Sequence, residues 1–170
     1  MRIRSLVFLA FSRLVWCSVA EAQAADDSTD RETLRGISAF HAVALVVAPE
    51  IPSASSIRAS LQTQVELCLR RDGIEVVEGN KYAPAVVFFV NVLSAKSAGG
   101  AALGYAAAWD FEVRQYVRTL RGAGNYVATW HWGNIGVGGT DGLESMLTRN
   151  VEAGCASFSN AWFAVNPKSH

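Results

Sequence analysis

Three histidines are present, and His131 lies in the stretch whose composition is most typical of a functional site. This stretch, TWHWGNIGVGGTDG from Thr129 to Gly142, combines two tryptophans, a histidine and five glycines. Catalysis by His131 would require a positioned acid or nucleophile, and metal binding would require further ligands. The remaining histidines are His41 and His170, and no His-x-x-x-His, Cys-x-x-Cys or Glu-x-x-His spacing occurs. We therefore expect an exposed strand histidine and no metal or cofactor, with a pair between His41 and His131 across a sheet left open.

The glycines after His131 resemble a phosphate-binding turn, because they follow a strand pattern and precede a helix pattern. In a G-x-G-x-x-G pattern that starts at Gly136, Asp141 takes the place of the last glycine. A carboxylate at that position would repel a phosphate. The stretch is therefore predicted to be a flexible connection into a helix, with Asp141 as the N-cap and Glu144 completing a capping box.

A pair of carboxylates, Asp110 and Glu112, shares one face of a predicted strand and raises the question of glycosidase chemistry. Both are flanked by Arg114 and Arg118, so surface ion pairs are the simpler interpretation. No serine occupies a nucleophile elbow or a Ser-x-x-Lys arrangement. The sequence predicts no catalytic residues, and we expect a protein that is not an enzyme.

Residues 1–24 have the composition of a secretory signal peptide. They begin with two arginines, continue with an apolar run interrupted by Arg13, and end with small residues at the cleavage positions. We expect a periplasmic or secreted protein after cleavage near Ala24. A lipoprotein signal that would acylate Cys17 is the less favoured alternative, because Trp16 stands where such signals normally have a small residue.

The rest of the chain has few charges, and these are mixed in sign. Removal of residues 1–24 takes away three basic residues and one acidic residue, which changes the net charge from 0 to −2. No basic stripe remains to bind phosphates, so we expect no nucleic-acid partner. No later segment has the length and apolarity of a membrane span, so none is expected in the mature chain.

The hydrophobic periodicity predicts one α+β domain over residues 37–166, preceded by a flexible leader over residues 25–36. The predicted order is β-α-β-β-β-β-α, with strands near 40–49, 74–78, 83–96, 109–120 and 126–135 and helices near 53–72 and 142–165. The first strand is apolar enough to be buried on both faces. Amphipathic helices beside antiparallel strands with one polar face predict a two-layer sandwich, in which a mixed, mostly antiparallel sheet carries both helices on one face.

Two cysteines lie on the apolar stripes of the two predicted helices. Cys68 is in the first helix and Cys155 is in the second, so their side chains could meet where the helices touch. An exported protein would favour a disulfide, whereas two buried thiols acting as small apolar residues remain the alternative.

The aromatic residues of the last two strands are the candidate binding residues. With a period of two, Trp130 and Trp132 share a face with Tyr126 and Ala128. Such a pair either packs in the core or, on the face away from the helices, forms an exposed patch that binds a partner. The predicted partner-binding set is Tyr105, Tyr116, Tyr126, Trp130 and Trp132.

Several segments together are typical of one kind of bacterial envelope module: HAVALVVAP, LCLRRDGIEVVE, PAVVFFVNV, VRQYVRTLRGAGNYVATWHW and the closing helix. With them the chain resembles the amino-terminal domain of the Tol system's propeller protein and the outer-membrane lipoprotein activators of peptidoglycan synthases. The resemblance implies a non-enzymatic module that binds a protein partner in the cell envelope, and homo-oligomerisation is compatible with it. It transfers no functional residues, because the group has no shared catalytic motif. The alternative is a binder of a small ligand or cell-wall fragment that uses the Gly/Ala-rich segment and the hairpin face.

Overall fold

The structure is a computed structural model that describes residues 28–78 and 82–167. The elements are α1 (Ser28–Glu32), β1 (Ala39–Val47), α2 (Ala54–Arg71), β2 (Glu75–Val76), β3 (Ala85–Lys96), β4 (Ala102–Arg118), β5 (Gly124–Gly138) and α3 (Leu143–Val165). The predicted order of five strands and two helices is confirmed, and the short helix α1 precedes it. The Gly/Ala-rich segment after β3 forms a tight turn and the beginning of β4.

The five strands form one mixed sheet in the order β2-β1-β3-β4-β5. Strand β1 is parallel to β2 and to β3, while β3, β4 and β5 form an antiparallel meander. Both long helices lie on one face of this sheet, and their apolar stripes bury the core against it. The prediction of a two-layer α+β sandwich is therefore confirmed.

The ends of the long helices follow simple backbone chemistry. Helix α2 ends at Arg71, and Gly73, two residues further, has a φ of 80°, a conformation that glycine adopts without a steric penalty. Helix α3 begins after Gly142, and no side chain caps it. The predicted cap by Asp141 is wrong, because its carboxylate instead accepts a hydrogen bond of 3.1 Å from the Thr140 hydroxyl.

The two cysteines meet where α2 and α3 touch. The sulfur atoms of Cys68 and Cys155 lie within disulfide-bonding distance, and their Cα atoms are 6.3 Å apart. The sequence left open whether the two cysteines form a disulfide or remain buried thiols, and the geometry agrees with a disulfide. Such a bond would join the two helices across 87 residues of chain.

The predicted flexible leader is packed against the domain from residue 28 onward. Leu34 is completely buried in the core, and the side-chain amide of Asn166 donates a hydrogen bond of 3.0 Å to its carbonyl. The Thr33 hydroxyl donates a hydrogen bond of 2.9 Å to the carbonyl of Thr129 in β5. One apolar residue in a polar segment thus anchors it. The predicted signal peptide, Cys17 and the cleavage position near Ala24 lie outside the described residues.

Candidate functional site

The candidate site is the sheet face opposite α2 and α3, which we call the bare face. No helix of the described part of the chain covers it. Register places the even-numbered residues of β4 up to Tyr116 on this face, together with their partners on β3 and β5. The bare face therefore exposes side chains that no core contact explains.

A β-bulge in β5 decides where the aromatic side chains lie. Val113 pairs with Trp130 and Arg114 pairs with Ala128, so Thr129 is an extra residue without a partner in the ladder. An extra residue reverses the alternation of side chains. The prediction that Trp130 shares a face with Tyr126 and Ala128 is therefore wrong, since the two groups lie on opposite faces.

Both tryptophans of β5 face the helices. Trp130 is only 2% exposed, and its ring lies against Phe158 with centroids 5.5 Å apart. Trp132 and Tyr105 are half-buried against the same core. The prediction that Trp130 binds a partner is therefore corrected, because its buried side chain offers no surface to another protein.

Two residues of the predicted binding set, Tyr116 and Tyr126, do lie on the bare face. They are opposite each other in the register, and their ring centroids are 5.5 Å apart. Tyr82, which follows the gap in the described residues, lies 5.3 Å from Tyr116 by the same measure. The tyrosines therefore form a cluster at one end of the bare face, and their role in partner binding stays a prediction.

The other end of the bare face is apolar and exposed. Its large side chains come from three strands and are exposed by between 39% and 78%, and we call them the apolar end: Leu45, Val47, Leu93, Ile135 and Val137. In one row across the strands, Asn91 and Ala108 lie between Val47 and Ile135. In the next row, Ala106 lies between Leu93 and Val137. Strands spaced by about 4.8 Å make this area roughly 14 Å wide. Contiguous exposed apolar area of this kind marks interaction sites.

Sequence reasoning missed the apolar end, although its signal was present. The period of two that places Trp130 and Trp132 on one face places Ile135 and Val137 on the other. Strand β1 was predicted to be buried on both faces, and Leu45 and Val47 show that one face of its carboxyl half is open. No described element covers them because the sheet has only one layer of helices.

The middle of the bare face carries a contact between His131 and Asp110. The Nε2 atom of His131 lies 2.9 Å from Oδ1 of Asp110, and the two side chains are 49% and 43% exposed. The expectation of a surface histidine is met, and its acidic partner Asp110 was not predicted. His41 lies on β1, which two strands separate from β5, so the pair between the histidines is not formed.

Gly133 leaves free the space that the contact between His131 and Asp110 needs. Gly133 is opposite Asp110 in the register, and a Cβ at Gly133 would meet the Asp110 carboxylate, as well as the Trp109 carbonyl at 2.8 Å. His131 can therefore reach diagonally across β5 to Asp110 only because this position has no side chain.

Replacing Gly133 with alanine should break the contact between His131 and Asp110 and lower stability by about 1–3 kcal/mol, as overpacking does. Nitrogen-15 NMR of the His131 ring tests this, because donation to Asp110 holds the proton on Nε2. The matched control is Gly138→Ala, where a Cβ meets no atom within 4 Å. Unchanged ring signals in Gly133→Ala would contradict the assigned contact.

The second acidic residue of this face pairs with an arginine. The Arg114 guanidinium donates a hydrogen bond of 2.6 Å to Oε1 of Glu112, whose side chain is only 10% exposed. The predicted surface ion pairing is thus confirmed for Glu112. Asp110 pairs with His131 instead, and Arg118 pairs with neither carboxylate.

The chemistry that this arrangement offers is hydrogen bonding at an open surface. A shallow depression of about 510 Å³ lies beside the His131–Asp110 contact. Its lining includes no hydroxyl, thiol or amine nucleophile. The lining residues are Ala108, Trp109, Asp110, His131, Gly133, Asn134 and Ile135. Within the described residues, no group of three or more His, Cys, Asp or Glu side chains is placed to hold a metal ion. The described helices also include none long and apolar enough to cross a membrane.

The two edges of the sheet differ. Along β1, the side chain of Gln62 accepts a hydrogen bond of 2.7 Å from the Ala44 amide and donates one of 2.8 Å to the Ala42 carbonyl. This contact blocks the edge that the short β2 leaves open. At the other edge, β5 extends over fifteen residues and pairs with no described strand except β4. The Thr33 hydroxyl bonds to one carbonyl of β5, that of Thr129, and the rest of this long edge is a template for another strand.

No protein-family model matches this chain, and no curated protein matches it. Among solved structures, the fold is similar to the PelC dodecamer from Paraburkholderia phytofirmans in two crystal forms. The identities are 19% and 18%, the TM-score is 0.39 for both, and the match covers 71% of this chain and 89% and 88% of those chains.

A second similar structure is rare lipoprotein B from Shewanella oneidensis. It has 8% identity and a TM-score of 0.34, with 74% of this chain and 98% of that chain covered. TM-scores of this size describe partial agreement in the path of the chain and nothing about activity. The resemblance to the Tol protein and to the synthase activators stays a prediction.

Proposed function

We propose that this protein is an exported, non-enzymatic module that binds a protein partner in the bacterial cell envelope through its bare face. One observation carries the proposal: the five large apolar side chains of the apolar end are exposed at one end of a single sheet face. Exposing them to water is unfavourable by about 25 cal/mol for each Å² of apolar surface. A partner that covers them would recover that free energy.

The polar middle of the bare face supports the same proposal. Interfaces typically combine an apolar centre with a rim of polar groups that supply hydrogen bonds and orientation. The His131–Asp110 and Glu112–Arg114 pairs border the apolar end on the same strands. The His131–Asp110 pair lies on an open surface, beside a depression whose lining includes no hydroxyl, thiol or amine nucleophile, which suits recognition better than catalysis.

The open edge of β5 supports self-association as one form of this binding. A second copy that paired with this edge would extend the sheet and bring two bare faces side by side. The partner is then either a second copy or a different envelope protein. Export itself is supported by the composition of residues 1–24, and the acylation of Cys17 remains its less favoured variant.

Crosslinking in living cells, followed by mass spectrometry of the captured proteins, tests the proposal. The test variant is I135D/V137D, which places two charges in the apolar end, and the control is Leu67→Asp, an equally exposed leucine on α2. We expect the wild-type chain and the control to capture the same partner, and the double variant to lose at least about tenfold of it, since buried unpaired charge costs several kcal/mol.

Two results would overturn the proposal. In the first, the double variant captures as much partner as the wild type while its unfolding midpoint is unchanged. In the second, the wild type captures neither another protein nor itself, and light scattering shows a monomer. Capture of cell-wall fragments by the bare face would instead support the alternative ligand-binding function.

A further inference from the structure

The hairpin of β4 and β5 projects beyond the rest of the sheet. Pairing between β3 and β4 ends where Ala85 meets Arg114, whereas pairing between β4 and β5 continues to Arg118 and Gly124. We call residues 117–125 the hairpin arm. Its strands have only each other as sheet neighbours, and every residue in it is exposed.

The turn of the arm places two residues at its tip. The amide of Gly122 donates a hydrogen bond of 2.9 Å to the Thr119 carbonyl, and the Thr119 amide donates one of 2.7 Å to Ala123. Gly122 has a φ of 84°, as a three-residue hairpin loop with a glycine bulge requires. Leu120 and Arg121 therefore occupy the corners of the turn, and Leu120 is fully exposed.

The other hairpin turn of the molecule shows that this backbone does not require these residues. The Gly100 amide donates a hydrogen bond of 2.9 Å to the Ser97 carbonyl, and the Ser97 amide donates one of 2.8 Å to the Ala101 carbonyl. Gly100 has a φ of 85°. The corners of that turn are Ala98 and Gly99. Turn geometry thus leaves the leucine and the arginine of the arm unexplained.

The arm is also positively charged. The sequence has no acidic residue between Glu112 and Asp141, although the whole chain has equal numbers of acidic and basic residues. Arg114 is paired with Glu112, whereas Arg118 and Arg121 contact no carboxylate among the described residues. Two unpaired cations thus flank one exposed apolar tip.

The tyrosine cluster of Tyr82, Tyr116 and Tyr126 lies behind the tip. The corner at Leu120 lies about four residues of extended chain beyond Tyr116, or roughly 14 Å at about 3.4 Å per residue. Tyrosine rings have an apolar body and a polar hydroxyl, which makes them typical of the headgroup layer of membranes.

From these observations we infer that the hairpin arm binds the surface of an anionic phospholipid membrane. Leu120 enters the boundary between headgroups and acyl chains, about 5–10 Å deep, and Arg118 and Arg121 bind lipid phosphates. The tyrosine cluster then lies near the level of the headgroups. Charge complementarity favours lipid over an apolar protein pocket, because arginines close to an anionic leaflet are attracted to its surface.

Sedimentation of the purified protein with vesicles tests this inference. The vesicles contain phosphatidylethanolamine with phosphatidylglycerol, and vesicles of phosphatidylcholine alone serve as the uncharged reference. The test variant is L120A/R121A, and the matched control is L67A/R149A, which removes the same two side-chain types from exposed positions of α2 and α3.

We expect the wild type to bind the anionic vesicles and to lose binding as salt rises from about 0.05 M to about 0.5 M. The tip variant should bind at least about tenfold more weakly, since each lost apolar contact and each lost arginine weakens membrane partitioning. The control should change by less than about twofold, the range typical of exposed positions. The bare-face variant I135D/V137D should keep full vesicle binding, which separates this inference from the proposed function.

Three results would overturn the inference: no binding of the wild type to anionic vesicles, equal losses in the tip variant and its control, or equal binding to charged and uncharged vesicles. Loss of a protein crosslink in the tip variant, without any vesicle binding by the wild type, would assign the arm to a protein partner instead.

Discussion

Replacing Trp130 with alanine is expected to lower the free energy of unfolding by about 3–5 kcal/mol, the range for truncating a buried large aromatic residue. The Trp130 ring packs edge-to-face on Phe111 and Phe158, with centroids 6.4 Å and 5.5 Å away. Alanine would remove these contacts and leave a cavity between the sheet and α3. Neighbouring rings cannot fill it without leaving their own contacts.

Urea unfolding, followed by far-ultraviolet circular dichroism, measures this loss. Trp132→Ala is the matched control, because Trp132 lies on the same face two residues further and is only partly buried. We expect its loss to be less than half as large. Equal losses for the two variants would contradict the burial of Trp130 and with it the bulge at Thr129 that turns the tryptophan toward the helices.

Removing the link between Cys68 and Cys155 is expected to lower the free energy of unfolding by about 2–5 kcal/mol. A bond between residues 87 positions apart restricts a large loop of the unfolded chain, and the chain-entropy account predicts a larger effect for longer loops. The suitable variant is C68A/C155A, because alanine adds no polar group to the site, which is buried.

A reductant separates loss of the bond from loss of the sulfur atoms. Excess dithiothreitol should shift the unfolding midpoint of the wild type toward that of C68A/C155A, and it should leave the variant unchanged. A wild-type midpoint that does not respond to reductant, together with two free thiols in the unfolded protein, would mean that the cysteines are buried thiols.

The fold class could be predicted because each long element carries its own periodic signal. Strand β4 alternates cleanly from Trp109 to Arg114, and α2 places Ile57, Leu61 and Val65 at helical spacing. Such local patterns survive in the structure because each one matches the burial that the sheet and helices require. The meeting of Cys68 with Cys155 followed from the same reasoning, since both lie on apolar stripes.

The candidate site could not be predicted in the same way, because it depends on register. The bulge at Thr129 adds one residue, and nothing in the local sequence marks it. The predicted sharing of one face by Tyr126 and Trp130 therefore fails, because the bulge puts them on opposite faces. The contact between His131 and Asp110 joins β5 to β4 diagonally. It depends on the register of these strands and on the absence of a side chain at Gly133. Leu34 illustrates a third limit, since one apolar residue in a polar segment gives no periodic signal.

The two proposed surfaces lie at opposite ends of the sheet. The apolar end includes Leu93 and Val137, close to the turn at Ser97–Gly100, whereas the hairpin arm lies at the other end of β4. A chain that contacts lipid through the arm therefore keeps its apolar end free. We therefore expect substitutions in one of these surfaces to leave the binding of the other unchanged.

Site-specific photocrosslinking in living cells tests the central claim most directly. A benzophenone amino acid is placed at Ile135 in the apolar end, or at Leu67, an exposed leucine of α2, as the control. The account predicts a discrete adduct of higher mass from position 135, either with another envelope protein or with a second copy, and none from position 67. No adduct from position 135, or the same adducts from both positions, would contradict the claim that the bare face binds a partner.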